Sequence, residues 1–150
     1  VSAQKIEPLN AAEATWVAAE LRNAADIVAR YSPADAQRAS TLGALDRTYE
    51  AFSAHADRTD GAAANGVINA LGICFGQHLV RELGLEWAAV TDEYGCELAV
   101  VGMRGKGDFV VFPTNFVAKR WERGEVGFFV DSCRRIAEQY AELRAQWEGR

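Results

Sequence analysis

The sequence predicts an α+β fold: three helices, a three-stranded antiparallel meander, then two helices packed on one side of that sheet. Two observations carry this. Apolar residues recur at three- and four-residue steps before position 84 and after position 115, the spacing of helices with one buried stripe. Residues 85–112 instead alternate at period two, broken only by short Gly-bearing reversals, which suit hairpins and leave no room for a parallel crossover. A chain of 150 residues can bury a real core as one globular domain. Its parts are a helical hairpin over 10–56, a central unit over 65–125 and a C-terminal helix over 127–148.

The first helix opens at Asn10, with Glu13 three residues on, the spacing of a capping box. Val17, Leu21, Ala24, Val28 and Tyr31 then form its apolar stripe. Ser32-Pro33 ends that helix and starts a second, with Ser as cap, Pro at the first helical position and the stripe Leu42, Leu45, Tyr49 and Phe52. Residues 57–64 (DRTDGAAA) lack periodicity and read as a loop. The third helix buries Ile68, Leu71, Phe75, Leu79 and Leu83. Gly72 and Gly76 lie on its adjoining face, and each costs ~1 kcal/mol against Ala inside a helix. Such a pair implies close approach of another backbone, expected to be the sheet. Gly84 is the helix stop, in the left-handed position.

Strand one is expected over 85–91, strand two over 97–101 and strand three over 109–112. Asp92-Glu93-Tyr94-Gly95 and residues 104–108 supply the turns. Pro113 ends the last strand, since it cannot donate to a ladder. Thr114 or Asn115 caps a short helix over 116–123, which stops at Gly124. Phe129, Cys133, Ile136, Tyr140, Leu143 and Trp147 then form one stripe on the last helix, suited to docking on the domain. A homodimer through that helix is the alternative use of the stripe. One sheet face is left thinly covered, either that of Trp87, Ala89 and Thr91 or that of Glu86, Ala88 and Val90.

Composition narrows the function. A net charge of −5 argues against a general nucleic-acid binder, whose affinity comes from neutralising phosphates, and favours a basic partner. No apolar run reaches the ~18 residues of a membrane span, and the N-terminus lacks a signal-peptide pattern, so a cytoplasmic protein is expected. Cys74, Cys96 and Cys133 are odd in number and widely spaced, which reads as reduced thiols. His55 and His78 are the only histidines and fit no ligand spacing, so neither a metal nor a cofactor is expected.

Four groups of residues are candidate sites. Cys74 and His78, four apart on one helix face, could begin a nucleophilic site, and a helix followed by antiparallel strands is similar to the layout of papain-like hydrolases. Yet Cys74 lies inside its helix, away from the N-terminus that would lower its pKa, and no later His can act as base. Asp92 and Glu93, with Glu97 and Glu86, could do acid–base work, though such acids are common at solvated hairpin tips. Residues 102–108 (GMRGKGD) match no phosphate-loop pattern. Lys119 and Arg120, with Arg123 beside Trp121, could contact nucleic acid, but three cations are few on an acidic chain, and pairing of Lys119 or Arg120 with the hairpin acids is the stronger expectation. Trp87, Asp92, Glu93, Tyr94, Lys119, Arg120 and Trp121 are therefore the expected binding residues, with Cys74, His78, Asp92 and Glu93 the catalytic candidates.

Four short motifs stand in order through the central unit: Phe75-Gly76, the Gly-Leu-Glu-Trp of residues 84–87, the Asp-Glu-Tyr-Gly turn of 92–95, and Phe112-Pro113 with its Lys-Arg helix. With these, residues 65–125 resemble a bacterial family known only as domain of unknown function 3806. The resemblance implies the α+β unit and transfers no catalytic residue. The leading expectation is a small acidic domain that binds another protein without catalysis, an immunity-type inhibitor of a bacterial toxin being one form. The rival is a small hydrolase using Cys74 or the Asp92 and Glu93 carboxylates.

Overall fold

A computed structural model describes residues 4–149. Helix α1 (Ala11–Tyr31) begins as its capping box requires: Glu13 N donates to Asn10 Oδ1 at 2.7 Å and Asn10 N to Glu13 Oε1 at 2.9 Å. The next segment departs from the sequence expectation. Pro33 opens a short 3₁₀ helix, Pro33–Arg38, and α2 (Leu42–His55) starts separately under the side chain of Thr41. The break follows from Asp35, which is buried and held by its neighbours. Arg47 grips it with two hydrogen bonds of 2.7 and 2.8 Å, and Ser32 Oγ donates at 2.6 Å. A continuous helix would carry Asp35 away from Arg47.

Helix α3 (Gly61–Leu83) starts within the stretch expected to be a loop, because Ala63 N donates to Asp60 Oδ1 and Asp60 caps a run of alanines. Alanine forms helix without any apolar periodicity, so the pattern search passes over it. Gly84 ends α3 in the left-handed conformation, φ 71°. Helices α1 and α2 pack on α3, as do the later helices α4 (Pro113–Arg123) and α5 (Phe129–Glu148).

The sheet has four strands, not three, all antiparallel and in chain order: β1 (Lys5–Pro8), β2 (Glu86–Asp92), β3 (Gly95–Gly102) and β4 (Phe109–Val111). Strand β1 is too short to show alternation and carries Pro8, which an edge strand tolerates. Strand β2 turns into β3 through Glu93 and Tyr94, with Asp92 opposite Gly95. Trp87, Val100, Phe109 and Val111 join the main core with α3, and α4 and α5 add to it. On the other face Ile6, Ala88, Val90, Ala99, Val101, Val110 and Phe112 form a second, small cluster with no helical member among the described residues. Its centre is nonetheless buried, Ala99 fully so. Arg104, from the β3–β4 turn, reaches past β2 to donate to the Ile6 carbonyl at 2.8 Å.

The glycine pair marks close approach as expected, but sheet backbone is the partner at neither: a side chain fills the space at one and a helix backbone at the other. A Cβ at Gly76 would lie 2.6 Å from the Trp87 ring of β2, whereas one at Gly72 would meet Thr114 Cα of α4 at 2.8 Å. The close backbone at Gly72 is thus a helix. Pro113 opens α4 at its first position, and Phe112, not Thr114 or Asn115, stands at the cap. Helix α5 is capped from a distance: the Asp46 carboxylate of α2 accepts from Phe129 N at 2.8 Å and Val130 N at 3.2 Å. Its stripe is used inside the fold, Phe129 against Tyr49 and Phe75, and Tyr140 against Phe109. No described helix is long and apolar enough to cross a membrane.

Two outcomes follow from this packing. Gly72→Ala places a methyl group against backbone that cannot rotate away, so urea unfolding should show a loss of about 1–3 kcal/mol despite the better helix propensity of Ala. A variant as stable as the parent would show that α4 yields freely. Hydrogen bonds from Arg47, then from Ser32, hold the Asp35 carboxyl well below the usual carboxylate range. A depressed folded pKa contributes stability that is full above the unfolded value, about 4, and fades as the pH drops below it. Asp35→Asn should therefore flatten the fall in stability between about pH 4 and pH 2; an unchanged acid limb would remove Asp35 as its source.

Candidate functional site

The structure scatters the residues that the sequence singles out. Cys74 is buried, with its Sγ 3.9 Å from the Ala39 carbonyl oxygen, and burial pushes its thiol up to about 11. At neutral pH it is a thiol, not the thiolate that nucleophilic attack needs. Burial, as the largest influence, lowers the His78 pKa, against the opposing influence of Glu82 and the Ser40 backbone. Trp87 is a packing residue: its indole covers Gly76 and its Nε1 donates to Gln77 Oε1 at 2.9 Å. Asp92 holds the hairpin turn, accepting from Tyr94 N at 2.8 Å. Glu93 and Tyr94 project from the tip, Tyr94 being 88% exposed. Trp121 packs on Tyr49 and Phe52, with the Arg58 guanidinium 3.6 Å over its ring.

Lys119 and Arg120 have a different setting. They line a cleft of about 380 Å³ between the outer edge of β4, helix α4 and helix α5. Phe109 touches Tyr140 at one end of β4, and α4 leaves the other end directly. The cleft lies between these points. Asn115, Phe116, Lys119 and Arg120 come from α4, and Ser132, Arg135, Ile136 and Gln139 from α5. The lining contains no Asp, Glu, His or Cys.

Arg120 is half-buried, its guanidinium 3.5 Å over the Phe116 ring, and its Nη1 donates to the Phe116 carbonyl at 3.0 Å. Burial is the main cause of its lowered pKa; Glu125 opposes the shift, and the charges of Arg123 and Arg135 add to it. Glu125 stands 4.0 Å from Nε, which makes no hydrogen bond. The expected pairing of Arg120 with the hairpin acids is therefore not what forms, because stacking on Phe116 turns the group toward Glu125. Lys119 does face the hairpin electrostatically: burial raises the Glu97 pKa and Lys119 opposes the rise. Ser132, at 2% exposure, is among the lining residues, and its buried hydroxyl has no hydrogen-bond partner.

Sequence reasoning missed Ser132, Arg135 and Gln139. Their spacing of three and four places them on one helix face, but periodicity brings out only the apolar stripe beside them. Asn115 and Lys119, also four apart, face them from α4.

The fold and site define an α+β protein in which a buried helix backs a four-stranded antiparallel sheet and a basic cleft flanks the sheet's free edge. Residues 44–130, more than half of the chain, match the family described as domain of unknown function (DUF3806), and the chain belongs to that family. The match spans α2, α3, β2 to β4 and α4, so it takes in the β4 and α4 walls of the cleft and stops short of Ser132. No curated protein and no solved structure matches the chain.

Thiol labelling of the native protein at neutral pH should modify exposed Cys96 first and Cys74 last, burial and a two-unit rise in pKa slowing Cys74 at least about a hundredfold. Peptide mapping of the labelled protein reads the order directly. Cys74 labelling as fast as Cys96 would return it to candidacy as a nucleophile.

Proposed function

We propose that this domain acts without catalysis, by holding an extended segment of another protein in the cleft as an added strand beside β4. One observation carries the reading. Val110 and Val111 of β4, followed by the α4 cap residue Phe112, line the cleft in succession. Side chains of a strand alternate between faces, so adjacent Val110 and Val111 share one cleft through the strand's edge. Strand β4 is last in the sheet order, and no described strand pairs with that edge. A free edge within a walled cleft is the template that strand addition uses, with backbone hydrogen bonds giving affinity and flanking pockets giving selectivity. The cations Lys119, Arg120 and Arg135, with no acid among the lining residues, favour a segment that carries a carboxylate.

The absence of Asp, Glu, His and Cys from the lining supports a binding role, since these residues supply most general bases and nucleophiles. A second reading, a basic partner such as an immunity-type inhibitor would neutralise, draws support from the net charge of −5 and from Glu93 and exposed Tyr94 at the hairpin tip. The cleft is the larger concavity of the two, about 380 Å³ against about 250 Å³ beside the hairpin.

The test is selection from a displayed peptide library, followed by amide exchange and substitution. Selected peptides should alternate apolar and polar residues around an acid, slow the exchange of amides in residues 110–112, and bind Arg135→Glu at least about tenfold more weakly. Peptides whose binding is lost in Tyr94→Ala and unchanged in Arg135→Glu would move the interface to the hairpin and overturn the cleft reading.

A further inference from the structure

We infer that the floor of this cleft is an oxyanion site, built to take the carboxylate or phosphate oxygens of a bound group through Ser132, Arg135, Lys119 and Gln139. The inference deepens the binding role and rests on strand addition only for the source of the oxyanion. Its first support is Ser132, a lining residue of the cleft whose buried hydroxyl bonds to nothing in the protein. Buried hydroxyls are almost always paired, and a native exception calls for a ligand or a function. The usual local escape, donation back to the carbonyl four residues earlier, is not made: Phe128 O accepts the Ser132 backbone N–H at 2.9 Å, and the hydroxyl is left over.

The second support is the chemistry that converges there. Arg135 lies one turn beyond Ser132 on α5 and Gln139 one turn further, while Lys119 faces them from α4. These groups offer donors, and no carboxylate of the lining opposes them. Arg120 behind them presents a stacked, partly desolvated cation whose Nε has only the distant Glu125 carboxylate, 4.0 Å away. Arg135 and Arg120 lie close enough for their charges to act on each other, a repulsion that an anion between them would relieve. A guanidinium fork matches two oxygens of one carboxylate or phosphate, and Lys119 adds a point charge.

The measurement is nuclear magnetic resonance titration of the ¹⁵N-labelled full chain with acetate and, separately, inorganic phosphate, sodium chloride holding the ionic strength constant. Saturable shifts are expected at the Ser132 amide, the Arg135 Nε–H and the Gln139 side-chain amide. Ser132→Ala should weaken binding about tenfold yet melt no lower than the parent, since it removes an unpaired buried hydroxyl. A merely structural Ser132 would give the reverse pattern. Arg135→Gln should weaken binding at least tenfold. The two anions, together with library-selected peptides bearing free or amidated carboxyl groups, identify which oxyanion is preferred. Shifts no larger than those from chloride, or variants that bind as the parent does, would overturn the oxyanion site. Anions that bind while no peptide protects residues 110–112 would sustain the site and remove strand addition. Peptides that bind alike with and without carboxylates, uncontested by acetate or phosphate, would do the opposite.

Discussion

The contact on which the arrangement depends is the approach of α3 to two different elements through two missing side chains. At Gly76 the Trp87 indole of β2 lies where a Cβ would stand, and at Gly72 the backbone of α4 does. Those approaches fix the sheet and α4 relative to one buried helix, and so relative to each other. Interiors pack as densely as organic crystals, so such a contact has little slack. Phe75 lies between the two glycines in sequence. It stacks on Phe116 of α4 and meets Phe129 of α5 edge-on, so one turn of α3 sets both walls of the cleft.

Helix α5 is held by a second constraint of the opposite chemical kind. Its first backbone amides have no partner within the helix, and Asp46 accepts from two of them across the fold, that of part-buried Phe129 and that of exposed Val130. The negative carboxylate also suits the positive end of the helix dipole. With its start pinned at α2 and Tyr140 resting on Phe109, α5 crosses the sheet edge at a fixed distance. Ser132 comes one turn after the pinned amides, where the helix has least freedom. That is why the hydroxyl is buried and why the exposed Arg135 is nonetheless placed with respect to it.

The sequence made the helices legible wherever an apolar stripe ran unbroken, as in α1, the later part of α3 and α5. The hairpin was legible as well, because Gly95 and Asp92 are the residues a tight reversal needs. Two failures share one cause, since periodicity reports burial of side chains and nothing else. The alanine run at the start of α3 forms helix by backbone propensity, and β1 pairs as a strand with Ile6 as its one apolar residue pointing at the sheet's small cluster. The break before α2 was hidden for another reason: it depends on Asp35 meeting Arg47, a pairing across 12 residues. Half of the site was readable in the same limited sense. Lys119 and Arg120 stood out by charge beside aromatic residues. Ser132, Arg135 and Gln139 gain their meaning only from the strand edge opposite them.

An acidic protein with a cationic cleft also constrains what can occupy it. The net charge of −5 acts weakly on a ligand already bound, because charges beyond a Debye length of about 8 Å are screened at physiological salt. Within that range the cleft's own cations dominate, against Glu125 beside Arg120 and Glu97 beside Lys119. Glu97, near Lys119 and Asp92, marks where the cleft gives way to the acidic hairpin. On the proposed reading, a segment with one acid flanked by apolar residues places that acid over Ser132 and its neutral positions along β4. A polyacidic run would push its next charges toward Glu97 and Asp92. Selectivity would then come as much from the hairpin's repulsion as from the cleft's attraction, which gives the acids at the turn a role without making them a site.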